Sequence, residues 1–190
     1  MKLAVFARGE RAATSDRSGR RCLQCGIVAA RADLAFCRRC GLAFGARPRD
    51  DADLPTAVNV AVQGAYFSTG QRCTASSRLI VTEGIHDRFV KALEERLASL
   101  KVGDALAPGT EMGPVAQQPQ LDQDLEYIGV GKSEGARLVA GGARLNDGGL
   151  DRGYFVAPTV FDNVDAGMRI AQEEIFGPIL SVIRAPDART

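Results

Sequence analysis

Apolar side chains recur at Leu54, Val58, Ala61, Val62 and Ala65. That spacing puts them on one face of a helix. Asp51 and Asp53 stand at its start, where the helix dipole favours anions. Gly70 breaks the pattern just before Cys73. The run RLIVT, Arg78–Thr82, reads as a buried strand. From His86 to Leu100 a second amphipathic helix is expected, with Phe89, Leu93, Leu97 and Leu100 on one side and Val102–Asp104 ending it. His86, the one histidine, is expected at the surface of that helix start, without a catalytic part. A third helix is expected over Gln118–Gly135, and a short strand closed by glycines over Ala136–Gly142. Tyr154–Phe161 reads as extended and broken by Pro158, Met168–Glu174 as a brief helix, and Ile179–Arg184 as a last strand. Strands alternating with helices argue an α/β fold, a sheet packed on both faces. No internal repeat appears.

Composition adds limits. The 190 residues are 45% hydrophobic and 25% charged, ordinary for a soluble globular chain. No apolar run approaches the roughly 18–20 residues of a membrane helix. The opening MKLAVFA is too short for a secretory signal, so a cytoplasmic protein with reduced thiols and no membrane partner is expected. The net charge of +1 hides an asymmetry. Residues 1–50 carry 11 Lys/Arg against 4 Asp/Glu, and the remainder 13 against 19. Two modules are expected: a basic N-terminal segment over 1–45 and an α/β domain over 51–190. Residues 7–21 read as a flexible arm and residues 46–51 as a linker.

Four of the five cysteines lie close together as Cys22, Cys25, Cys37 and Cys40, two C-x2-C pairs separated by 11 residues. Each pair is followed by a glycine, Gly26 and Gly41, which relieves a tight turn. Four thiolates in this arrangement suit one tetrahedral Zn2+, and residues 20–42 look like a small zinc ribbon. The competing readings are a chance sequence and a redox C-x2-C. Arginines surround the pairs, but Phe36 is the one aromatic residue inside the ribbon. A solvated basic face is therefore favoured over a nucleic-acid surface.

Cys73 stands apart, in GQRCTASSRLIV. Taken alone it reads as a structural thiol. Four motifs in order change that reading: GQRCTA, PGTEMGPV (Pro108–Val115), GYFVAPTVF and EEIFGPI (Glu173–Ile179). Together they resemble the aldehyde dehydrogenase superfamily over about residues 51–189, and look most like its 2-oxoglutarate semialdehyde branch. The resemblance implies a partial catalytic domain of three layers, with a mixed or parallel sheet and flanking helices. It implies that Cys73 is the nucleophile, adding to an aldehyde to give a thiohemiacetal and then a thioester. It implies that Glu174 binds the nicotinamide ribose, that Phe176 packs by the nicotinamide, and that Gly177 and Pro178 turn into the last strand. NAD or NADP is the implied cofactor and a small aldehyde or semialdehyde the implied substrate. Small neighbours such as Gly70, Thr74 and Ala75 would allow both to approach, and Arg72 offers the thiol no obvious activation.

Departures from the family pattern matter equally. Residues 40–50 (CGLAFGARPRD) lack the E-L-G-G segment that would carry the general base. The asparagine of the oxyanion hole and a G-x-G-x-x-G turn are not found either. The expectation is a truncated chain, inactive alone. The expected partners are a homo-oligomer or a complementing chain. Two alternatives stand beside the truncated chain: an enzyme completed by another chain that supplies the cofactor domain, and a non-enzymatic zinc-ribbon binding module fused to a degenerate fragment.

Overall fold

The structure, a computed structural model, describes residues 52–186. The four N-terminal cysteines and Asp51 lie outside the described residues. The first helix, α1 (Leu54–Tyr66), opens on Asp53, whose side chain accepts from the Thr56 N–H at 3.0 Å, with Pro55 in the first turn. It buries Ala57, Val58, Ala61, Val62, Ala65 and Tyr66. A short 3-10 turn, Phe67–Gly70, leads towards β1 (Arg78–Thr82).

Helix α2 runs Glu83–Ala98, starting three residues before the expected His86, and α3 runs Gln118–Ser133. The short β2 (Arg137–Ala140) follows, then β3 (Thr159–Asp162) just after Pro158. One helical turn, α4 (Arg169–Gln172), precedes β4 (Ile179–Ala185). The strands form one sheet in the order β1-β4-β3-β2. β1 and β3 both pair parallel with β4, and β2 pairs antiparallel with β3. The sheet is therefore mixed.

Alternation along the strands splits the core in two. Val81, Val160, Leu180 and Val182 pack with α1 and α2. Phe161 and Ile179 pack with Leu121 and Ile128 of α3 and Ile170 of α4. Helices thus cover both faces, giving three layers. Among the described residues no helix is long and apolar enough to cross a membrane.

The expectation for His86 is overturned. Its side chain is fully buried. Nε2 lies 2.8 Å from Oδ1 of the buried Asp162 at the end of β3, and Nδ1 lies 3.0 Å from Oδ1 of the exposed Asp87. Arg137 of β2 holds the other Asp162 oxygen at 2.7 Å. A buried carboxylate needs such partners, and the imidazole supplies one from the inner face of α2.

Candidate active site

Cys73 is exposed, on the turn that connects α1 to β1. Tyr66 anchors the end of α1 by donating from its hydroxyl to the Thr159 carbonyl at 2.9 Å, deep in the fold. Beyond it Ser68, Thr69 and Gly70 take φ of 56°, 58° and 69° in succession. For a β-branched residue such as Thr69 this left-handed conformation is an outlier that neighbouring structure must enforce. The Thr69 hydroxyl reaches the Gly113 and Pro114 carbonyls, each at 3.3 Å. Ala116 N–H donates to the Gln71 side-chain carbonyl at 2.9 Å. The PGTEMGPV motif therefore braces the thiol turn. Arg72 donates to the Gln63 carbonyl of α1 at 3.0 Å. Ala75 N–H to Arg72 O and Ser76 N–H to Gly64 O, both 2.9 Å, close the loop around Cys73.

The second turn joins α4 to β4. Of its two adjacent glutamates, Glu173 is engaged. It accepts from the Tyr127 hydroxyl at 2.7 Å and from Arg169 at 3.0 Å, while the Arg169 guanidinium lies 5.6 Å from the Tyr127 ring centre. The Arg169 and Tyr127 hydrogen bonds hold the Glu173 carboxyl below the usual range. Glu174 is exposed. Phe176, with φ of 61°, is 37% exposed, which is unusual for so large an apolar ring. Around it Ile175 and Gly177 are buried.

The two turns meet through backbone. A Cβ built on Gly70 would collide with the Gly177 carbonyl and come within 2.8 Å of the Ala65 carbonyl. Only a residue without a side chain fits there. This contact brings the Cys73 turn and the Glu173–Pro178 turn side by side. The structure thus gathers Cys73, Glu174 and Phe176 onto adjoining turns. Among the described residues no group of three or more His, Cys, Asp or Glu could hold a metal ion.

Asp124 is a neighbour of this site that the sequence reading passed over. It is fully buried on α3, against Gly177. Its place between Leu121 and Ile128 on the inner face of α3 was the available signal.

The model of the aldehyde dehydrogenase family matches residues 49–189. The chain belongs to that family. The alpha-ketoglutaric semialdehyde dehydrogenase of Bacillus subtilis is 50% identical over 135 residues, 71% of this chain and 28% of that protein. A betaine aldehyde dehydrogenase of Mesorhizobium japonicum is 47% identical over 135 residues, with the same shares. Among solved structures, the betaine aldehyde dehydrogenase of Staphylococcus aureus in complex with NAD+ superposes with a TM-score of 0.72 at 41% identity, covering 74% of this chain and 28% of that one. HpcC from Thermus thermophilus gives 0.71 at 44%, with the same coverage. The chain spans about 28% of the length of the relatives it matches. The mixed sheet with helices on both faces is that of a partial aldehyde dehydrogenase domain.

Proposed function

We propose that this chain supplies the thiol and the nicotinamide-side contacts for NAD(P)-dependent oxidation of a semialdehyde of the 2-oxoglutarate type to its acid. The observation that carries the reading is the Gly70–Gly177 contact, which sets the exposed Cys73 turn beside the exposed Glu174 and Phe176. The residues fit such a cofactor: the Glu174 carboxylate can accept from two ribose hydroxyls, and the Phe176 ring offers a flat apolar face. When bound, the nicotinamide supplies the hydride acceptor. Cys73 Sγ, as the thiolate, adds to the aldehyde carbon to give a thiohemiacetal, and once that carbon has given up its hydride to the acceptor the same sulfur holds the acyl group as a thioester. Water then releases the carboxylic acid and restores the thiol.

The 50% identity to the semialdehyde enzyme favours that substrate class, while the betaine aldehyde relative at 47% makes betaine aldehyde the control substrate. The test is NADH or NADPH formation by the purified chain with each aldehyde. Turnover lost in Cys73→Ala, with an increased KM for the cofactor in Glu174→Gln, supports the reading. The chain is expected to be inactive alone, so absence of turnover by the intact chain agrees with a chain that supplies only part of the site, whereas turnover that survives in Cys73→Ala overturns the thiol's role.

Cys22, Cys25, Cys37 and Cys40 are read as a structural Zn2+ site, on the strength of their paired spacing. Metal analysis of the full chain should find about one zinc per chain, lost in the Cys22→Ser/Cys37→Ser double variant. Zinc near zero, with these thiols readily alkylated, would sink that assignment.

A further inference from the structure

Three side chains of α3 reach under the Phe176 turn. Gln120 Nε2 donates to Asp124 Oδ1 at 2.8 Å and to the Ile175 carbonyl at 3.1 Å. Gln123 Nε2 donates to the same carbonyl at 2.8 Å. The Asp124 carboxyl lies flat against Gly177, so close that a Cβ on that glycine would overlap Oδ1 and come within 2.5 Å of Cγ and Oδ2. Asp124 is fully buried, and its Oδ2 has no hydrogen-bond partner. An orphaned carboxyl oxygen in the core is costly, and a methyl group would fill the same space without that cost. Gly177 in turn touches Gly70, three residues before Cys73. The contacts form one continuous path from α3 through Gly177 to the thiol turn.

We propose that Asp124 is a positioning residue: from α3 its carboxyl group seats Gly177, and through Gly177 it fixes both the left-handed Phe176 and the turn that presents Cys73. The catalytic meaning of this rests on the function proposed above, but the coupling itself is a property of the folded chain. Asp124 holds Gly177 by close contact, and Gln120 ties that carboxyl to the Ile175 carbonyl. Phe176 lies between these two fixed points. Burial pushes the Asp124 carboxyl up to about 7, with the Gln120 amide opposing. The titratable groups on the packed elements are Asp122, Glu126, Tyr127 and Lys132 of α3, Arg169 of α4, Glu173 and Glu174 of the Phe176 turn, and Arg72 and Cys73 of the thiol turn. None of these contributes to that shift. Near neutral pH the group therefore passes from a neutral acid, which the pocket tolerates, to a carboxylate, which it does not.

The test needs neither cofactor nor turnover, so it can fail independently of the proposed activity. Hydrogen exchange of the full chain is followed in peptides covering residues 173–178 and 68–75, with a peptide from α2 as reference. In Asp124→Ala, exchange in the two site peptides should rise by about fivefold to thirtyfold while the α2 peptide is unchanged. Peptide-resolved alkylation of Cys73 should change with them. No change in the site peptides, or an equal rise in all three, overturns the proposal. Should Asp124→Ala fail to fold, Asp124→Asn decides. Wild-type exchange in the 173–178 peptide, corrected for intrinsic rates, should step up as pH rises through about 7. The asparagine variant should show no step. A step in both proteins, or in neither, overturns the proposal.

Discussion

Replacing His86 with Phe isolates the hydrogen bonds of a buried imidazole, because a ring of similar size keeps the packing of α2 against the sheet. The substitution removes the bond to Asp162 Oδ1, a contact between a fully buried ring and a carboxylate that is 1% exposed. A hydrogen bond to a charged group contributes about 1.5–3 kcal/mol. The second arm, to Asp87, contributes little, since that carboxylate is 83% exposed and also meets Arg184. Stranding a buried charge entirely costs about 3–5 kcal/mol, but Arg137 remains on Asp162 Oδ2 and lowers that. The net expectation is a loss of about 2–3 kcal/mol. With a urea m-value of about 1–3 kcal/mol/M, the midpoint falls by roughly 0.7–3 M. The assay is urea unfolding of the full chain followed by far-UV circular dichroism. A second pair of variants, Asp162→Asn alone and with His86→Phe, closes a double-mutant cycle. A midpoint unchanged in His86→Phe, or additive effects in the cycle, would refute the buried bond.

Asp124 makes stability depend on pH in a stated direction. Its folded value of about 7 lies above the usual 3.8, so the folded chain holds a proton that the unfolded chain has lost. That contribution is whole below about pH 4, falls by about 1.4 kcal/mol per unit towards pH 7 and is gone above it, about 4 kcal/mol in all. Unfolding of wild type and Asp124→Asn at a series of pH values should show the slope in the first protein only; parallel curves would be contrary. Two glycines of α3 should respond oppositely to alanine. At Gly129 nothing lies within 4 Å of an added Cβ, so Gly129→Ala should stabilise by about 0.5–1 kcal/mol. At Gly131 the Cβ would meet the buried Phe161 ring at 2.8–3.1 Å, so Gly131→Ala should destabilise by about 1–3 kcal/mol. Thermal melts of the two variants decide it, and equal shifts would contradict the packing.

Much of the secondary structure was legible because apolar spacing carries it. The face of α1 and the strands β1 and β4 follow from their runs of apolar residues. The start of α2 was not: the helix begins at Glu83 and already buries Ile85 ahead of His86. His86 could have been placed better: it lies three residues before Phe89 and seven before Leu93, on the same apolar stripe. Its polarity obscured a position that its spacing declared. Asp124 was obscured in the same way. The pairing of β1 with β4 joins Arg78 to Ser181 in register, a contact across the chain that no local pattern encodes. For the site, motif resemblance pointed to Cys73, Glu174 and Phe176. It gave no account of why two adjacent glutamates differ, which here follows from Arg169 and Tyr127 engaging Glu173.

The backbone around the site explains why two glycines sit where they do. Ser68, Thr69 and Phe176 are all left-handed without being glycine, and each such residue costs on the order of 1–3 kcal/mol. Strain of that size persists only where surrounding contacts over-determine it. Thr69 is held by the Gly113 and Pro114 carbonyls, and Phe176 by the anchored Ile175 and Gly177 on either side. The strained turns also brace each other at Gly70 and Gly177, where main chain meets main chain with no room for a methyl group. A site assembled this way takes its geometry from backbone contact rather than from flexible side chains, which suits groups that must be held near a productive arrangement. It also concentrates vulnerability. A Cβ at Gly70 would strike the Gly177 carbonyl and so part the thiol turn from the Phe176 turn, while one at Gly177 would strike the Asp124 carboxyl and shift the Phe176 turn off α3, in both cases with Cys73, Glu174 and Phe176 themselves intact.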